Sequence, residues 1–262
     1  MSLLEISNLT IGPFNKFSLG FKANSFSIIT GSNNSGKTLL IKVLSGLVST
    51  KNKVLYNDKA LENYLGTTLN KDIVVILDDF SFTFETVIDE IRYPLEQSEY
   101  DDTMINKLVK DIGKDMKITN ILNKNIAELN FYEKIRVVLA ANLVSSPKIL
   151  LIDDPAKFLN RYEKEELVSI FNHLQTMGMT IIMTSSSLEE TIYTVNSTLY
   201  ILDNGKIISS GDIFEVLSND SLINKAGLEL PFMVDLSVKL KYYNLVDKIF
   251  LNPVRLVDTI WK

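Results

Sequence analysis

The sequence predicts an α/β fold on a mainly parallel core sheet, with an antiparallel β subdomain, a helical subdomain and a small C-terminal appendage. Three observations predict it. Apolar runs of strand length recur at residues 27–30, 73–77, 149–152 and 179–184, the pattern of strands buried on both faces of a parallel sheet. Helical periodicity separates several of them, with Leu40, Val43, Leu44 and Leu47 in one stretch and Leu167, Ile170, Phe171 and Leu174 in another. Alternation of that kind calls for crossover connections between parallel strands. A glycine-rich turn, residues 31–38, joins the first apolar run to the first helical stretch.

Along the chain, residues 2–26 and 53–60 read as antiparallel strands. Residues of about 81–145 are mostly helical and interrupt the α/β alternation. Beyond Leu230 come a helix over 232–243 and a short one over 253–261. The expected division is therefore a main domain over 1–220, with the helical subdomain inside it, and a small region over 221–262. No internal repeat, low-complexity tract or Pro/Gly-rich linker divides the chain further.

The chain has 262 residues, 46% apolar and 23% charged, ordinary values for a globular protein near the upper size for one core. A net charge of -5 argues against nucleic acid as a partner. Cysteine is absent, which excludes a disulfide framework and Cys-based metal or nucleophile sites. The start, MSLLEISNLT, lacks the basic and apolar segments of a secretion signal. No uncharged apolar run reaches the length of about 18 residues that a membrane span needs. Work at a membrane would go through a partner.

Gly31-Ser32-Asn33-Asn34-Ser35-Gly36-Lys37-Thr38 matches the P-loop pattern at every specified position. Its glycines allow successive N–H groups to point inward, and the helix that follows adds its positive end. Lys37 should reach the β- and γ-phosphates of ATP, and the Thr38 hydroxyl should ligate Mg²⁺. Ile149-Leu-Leu-Ile-Asp153-Asp154-Pro155 is a buried strand ending in carboxylates, the Walker B arrangement. Asp153 is the metal-side candidate.

The order of P-loop, helical insert, signature segment, Walker B and switch strand resembles ATP-binding cassette (ABC) proteins. Leu129-Asn130-Phe131-Tyr132-Glu133 lies where that family has its signature, and Ser145-Ser-Pro147 before the Walker B strand is similar too. Within the family the chain looks most like the ATPase subunits of energy-coupling factor (ECF) transporters. The segments carrying this are 86–96, Gly227-Leu-Glu-Leu-Pro231-Phe and the closing Leu256-Val-Asp-Thr-Ile-Trp261. The resemblance implies a second ABC ATPase subunit, in a homo- or heterodimer, paired head-to-tail so that each signature serves the opposite site. It also implies a transmembrane coupling subunit, a substrate-binding membrane protein and a place on the cytoplasmic face of the membrane, driving uptake of a vitamin or metal ion. The segment from Leu77 to Leu95, with Phe80, Phe82, Phe84 and Tyr93, would then receive a helix of the coupling subunit.

Several positions depart from the family. The general base is normally Glu and here is Asp154, one methylene shorter. The switch histidine aligns with Ser186, and the one histidine, His173, lies in the preceding helix. The Q-loop glutamine aligns with Leu77, beside Asp78 and Asp79. Asn130, Phe131 and Tyr132 replace the signature Ser and two Gly, and Asn160 replaces the D-loop Asp. Phe14 is nearest to the expected adenine-stacking aromatic. The expectation is an ABC-type ATPase that binds ATP with Mg²⁺, keeps its phosphate cradle and hydrolyses slowly. The alternatives are a non-hydrolysing structural or regulatory subunit, and an ABC protein unconnected with transport.

Overall fold

The computed structural model describes residues 2–64 and 71–260. An antiparallel sheet holds β1 (Leu4–Ile11), β2 (Phe14–Phe21), β4 (Val54–Tyr56) and β5 (Lys59–Ala60) in the order β2-β1-β4-β5. A second sheet holds β3 (Phe26–Thr30), β6 (Ile73–Ile76), β7 (Ile149–Ile152), β8 (Thr180–Ser185), β9 (Ser197–Asp203) and β10 (Lys206–Asp212) in the order β10-β9-β3-β8-β7-β6. Its pairings are parallel from β9 through β6, and β10 is antiparallel to β9. The expected fold class therefore holds. Two details differ: Phe26 opens the parallel strand β3, and the β9–β10 hairpin adds strands that the apolar runs did not announce.

The helices are α1 (Lys37–Leu44), α2 (Val87–Glu96), α3 (Asp102–Asp115), α4 (Phe131–Leu143), α5 (Arg161–Thr176), α6 (Ile213–Leu217), α7 (Asp220–Lys225), α8 (Phe232–Tyr242) and α9 (Pro253–Ile260). The first helical stretch, expected to include Leu47, ends at Leu44. Gly36 sits in the left-handed region at φ 110° and closes the start, while Gly46, also at positive φ, follows the C-cap Ser45. The last helix reaches Ile260, and Trp261 lies outside the described residues.

Strand periodicity divides the apolar side chains between the faces of the large sheet. Phe26, Ile28, Leu150, Ile152, Ile181 and Met183 face α4 and α5 in one core. Ile29, Ile149, Leu151 and Ile182 face α1 and the antiparallel sheet in the other. Phe26 meets Phe171 of α5 edge-to-face at 6.1 Å, a geometry worth about 0.5–1.5 kcal/mol beyond the area it buries. The helical subdomain joins the first core through Val87, Ile91 and Leu95 of α2 and Ile105 and Val109 of α3. Phe80 and Phe82 also pack on that core. Phe84 instead pairs with half-exposed Tyr93 at 5.0 Å.

The C-terminal segment has a small core of its own: Met233, Val246, Phe250 and Leu256. The buried Ser237 hydroxyl accepts the Phe250 N–H at 3.0 Å and donates to the Met233 carbonyl at 2.7 Å, tying α8 to the chain before α9. Leu228 and Val234 anchor this unit to the main core. Among the described residues, no helix is long and apolar enough to cross a membrane.

Candidate functional site

A cavity of about 640 Å³ opens at the carboxyl ends of β3, β7 and β8, where parallel α/β sheets place their ligands. Asn33, Asn34, Gly36, Lys37 and Thr38 supply one wall, and Asp78, Asp153, Asp154, Lys157 and Ser186 the other. The P-loop, the Walker B carboxylates and the switch position thus converge from three segments far apart in sequence.

The first wall is built by close approach. At Gly31 a Cβ would fall 1.9 Å from the Leu202 carbonyl oxygen, so the loop lies directly against β9. The Gly205 N–H donates to the Ser35 carbonyl at 3.1 Å, bracing the loop from the β9–β10 turn. Gly36 combines its positive φ with contact against Pro13 and the Phe14 ring, and no side chain caps α1 there. The helix end therefore keeps free donors. Buried Ser35 has a hydroxyl without a partner. Lys37 Nζ donates to the carbonyls of Gly31 (2.7 Å) and Ser32 (3.0 Å), folded onto its own loop. Burial lowers the Lys37 pKa, while the charges of Asp154 and Asp153 pull it up. An ammonium facing two carboxylates across a polar cavity, beside an open helix N-terminus, fits a polyphosphate bound with a divalent cation.

The second wall depends on the end of β8. The Thr184 hydroxyl donates to Asp153 Oδ1 and accepts the Asp154 N–H at 3.0 Å. The Ser186 N–H donates to Asp154 Oδ1 at 3.1 Å. Asp154 occupies the left-handed region at φ 44°, a conformation that Asp tolerates better than most side chains. Asp153 is buried and Ser186 exposed. Further along, the Ser185 hydroxyl donates to buried Glu190 at 2.9 Å, and Glu190 pairs with Lys164 of α5 at 2.8 Å. The switch loop is thereby pinned from beneath. Sequence reasoning placed Asp153, Asp154 and Ser186 and missed Thr184, Lys157 and the Glu190–Lys164 pair. A polar residue closing an apolar strand beside the Walker B strand was the available signal for Thr184.

Other expectations are placed differently. Phe14 is 1% exposed and packs on Phe17 at 4.7 Å beneath Gly36. A ring locked in that core has no face to offer a base, and Pro13 lines the cavity in its place. Asp78 lines the cavity and Asp79 does not. His173 is an exposed residue of α5.

The signature segment does not line this chain's cavity. Asn130 is the N-cap of α4: its side chain accepts the Glu133 N–H at 2.8 Å, and the Glu133 carboxylate accepts the Asn130 N–H at 3.0 Å. Phe131 stacks on Phe80 at 6.1 Å and meets Phe158 edge-on at 5.6 Å. Tyr132 is buried, with Arg136 over its ring at 4.4 Å. Burial, and then Glu166, raises its hydroxyl pKa. Leu129 is in the core. Asn160 likewise caps α5 in a reciprocal box with Glu163.

Comparison with known proteins agrees with this arrangement. Residues 14–157, more than half of the chain, match the family described as ABC transporter. The chain belongs to the ABC transporter family. Its ATPase domains bind ATP, typically with Mg²⁺. Among similar proteins is the energy-coupling factor transporter ATP-binding protein EcfA1 of Mycoplasma mobile, 28% identical over 91% of this chain and 90% of its own length. EcfA of Pediococcus pentosaceus is 26% identical over 88% and 86%. An ABC transporter ATP-binding protein of Lactobacillus johnsonii is 29% identical over 90% of this chain, which spans 41% of that relative. In structure, cbiO1 of Clostridium perfringens, part of the ABC transporter complex cbiONQ, superposes with a TM-score of 0.76 at 21% identity, covering 86% of this chain and 94% of that one.

The two kinds of glycine position separate in a stability measurement. Gly31→Ala places a methyl against a backbone oxygen and should cost more than about 2 kcal/mol in urea unfolding. Gly113→Ala lies in helix α3, 3.5 Å from the flexible Leu122 side chain, and should be neutral or stabilise by about 0.5–1 kcal/mol.

Proposed function

We propose that this chain is an ATP-binding subunit of an ECF-type importer, one that binds ATP·Mg²⁺ firmly and hydrolyses it slowly. The observation that carries the reading is a complete phosphate cradle facing a second wall whose base and switch are altered. Gly31–Thr38 and Asp153 keep the residues that hold ATP·Mg²⁺. Thr38 and Asp153 would hold Mg²⁺, which would supply neutralising charge to the phosphates. Lys37, released from its own loop carbonyls, adds a positive charge there. Asp154 occupies the base position one methylene short of Glu, with Oδ1 accepting the Ser186 N–H, and Ser186 has no ring to extend toward the γ-phosphate.

The similarity to EcfA1 and EcfA along most of both chains supports the ECF assignment. On that assignment residues 221–262 form the ECF-type C-terminal region. The partners are a second ABC ATPase subunit, a transmembrane coupling subunit and a substrate-binding membrane protein, with the chain peripheral on the cytoplasmic face. A vitamin or metal ion is the cargo class. The groove for the coupling subunit would centre on Phe84 and Tyr93, because Phe80 and Phe82 are committed to the subdomain core. A non-hydrolysing subunit is the second reading, favoured by the α4 N-terminus. Two of its donors, the Asn130 and Glu133 N–H groups, are met by its own side chains, so it offers fewer to a partner's phosphate.

Calorimetry of the purified chain tests the cradle. ATP·Mg²⁺ should bind, and Lys37→Ala should remove most of the affinity; equal affinities would refute the assignment of the site. Turnover is read by single-turnover hydrolysis in the assembled ATPase pair, with the partner's own P-loop lysine disabled. We expect about 1% or less of an intact site's rate, since base placement is typically worth about 10²–10⁴-fold. Asp154→Glu alone should restore little, and Asp154→Glu with Ser186→His much more, because these groups act as a unit. Hydrolysis at the intact rate would favour Asp154 as an adequate base, and none at all would favour the second reading. Co-expression with an ECF membrane coupling subunit should yield a stable complex on affinity purification, and failure to co-purify would count against the importer.

A further inference from the structure

We propose that Thr184 is a positioning residue for the cation side of the nucleotide site, acting through Asp153 while fixing the turn that carries Asp154. The inference rests on the ATP·Mg²⁺ reading above and adds to it a residue that the family resemblance does not supply.

The geometry begins in the sheet. β7 and β8 run parallel in a register that pairs Ile152 with Met183, so Asp153 and Thr184 come next to each other one step further on. Thr184 is 0% exposed and Asp153 3%. A hydroxyl has one proton to give and lone pairs to accept. Here the proton goes to Asp153 Oδ1, and a lone pair receives the Asp154 N–H at 3.0 Å. The contact to Asp153 is a hydrogen bond to an ionised acceptor, the stronger class.

Asp153's backbone is held separately, because its N–H donates to the Ile76 carbonyl at 2.9 Å. The strand therefore does not need Thr184 to reach its place. What the hydroxyl adds is the direction of the carboxylate. With Oδ1 engaged, the side chain is fixed and Oδ2 is left for the cation. The same hydroxyl satisfies the amide of Asp154, whose positive φ needs outside support. One buried oxygen thus sets the metal-side carboxylate and orients the neighbouring position.

Such a role predicts a selective defect. Thr184→Val keeps the shape of the side chain and removes the hydroxyl. ATP affinity of the full chain is measured by calorimetry in EDTA and in excess MgCl₂, and Mn²⁺ bound with ATP is followed by electron paramagnetic resonance. We expect the affinity in EDTA to stay within about twofold and the Mg²⁺-supported affinity to fall about tenfold, the usual loss for a hydrogen bond to a charged group. Mn²⁺ binding should weaken in parallel. Thr184→Ser, which keeps the hydroxyl, should behave as wild type. It also tests the inference if Thr184→Val does not fold, because loss of Mg²⁺ support in the folded Ser variant would refute a role for the hydroxyl. Equal losses in EDTA and Mg²⁺, or no loss in either, overturn the inference while the nucleotide-binding reading stands. A wild-type chain that binds no ATP overturns both.

Discussion

The nucleotide site depends on one constraint: β3, β7 and β8 run parallel and end within two residues of one level. Thr30 pairs with Ser185, and Ile152 pairs with Met183. The next residue on β3 is Gly31, the next on β7 is Asp153, and the residue after β8 is Ser186. Register alone therefore brings the first P-loop glycine, the metal-side carboxylate and the switch position to one edge of the sheet. That register is maintained by the apolar sets on both faces, since a slip by one residue would exchange the set facing α4 and α5 with the set facing α1. The chemistry is held in place by packing that takes no part in it.

The parts of this arrangement that were legible in the sequence were those carried by residue type at fixed spacing. The P-loop, the Walker B carboxylates and the parallel strands could be read because glycine, lysine and continuous apolar runs have few other uses in that order. The β9–β10 hairpin escaped because Lys206–Asp212 offers only Ile207 and Ile208 before Ser209, Ser210 and Gly211, too short an apolar run to read as a strand. Its turn, Asn204-Gly205, with both residues at positive φ, is nonetheless the standard two-residue hairpin signal. Phe14 was misplaced for a different reason. Its sequence position is close to the base, but strand alternation turns its side chain into the core. Thr184 showed in the sequence only as a polar residue near the end of an apolar strand, because its contacts to Asp153 and the Asp154 N–H run across two strands that a single sequence does not pair.

The helix N-termini distinguish what the chain keeps from what it has lost. At α1 the N-cap is Gly36, no side chain caps the turn, and no acidic residue lies in the first turn. The exposed N–H groups and the positive end of the dipole are therefore available to phosphate. At α4 the reverse holds. Asn130 and Glu133 satisfy each other's backbone, and the Glu133 carboxylate sits where a phosphate would be drawn. That capping box stabilises the helix by about 1 kcal/mol. The same residues cannot give those donors to an incoming γ-phosphate without losing it.

The aromatic residues strengthen this asymmetry. Phe131, Phe80 and Phe158 connect the start of α4, the loop after β6 and the loop after Asp154 in one ring cluster, with Lys157 over Phe158 at 5.2 Å. In a phosphate-binding signature these segments would meet through polar groups and small residues, and they would be brought together by the nucleotide. Here ring contacts join them within a single chain. Aromatic packing within one chain therefore helps hold these loops together without a nucleotide between them. A head-to-tail pair built from two copies would repeat this surface at both interfaces, and a pair with an intact partner would meet it at one. On the proposed reading, a mixed pair would combine this chain's cradle with the partner's signature at one site, where the altered base position would slow hydrolysis. The other site would combine the partner's base with the aromatic, self-capped start of α4. The two composite sites would then differ in the step impaired: hydrolysis at the first, closure onto the γ-phosphate at the second.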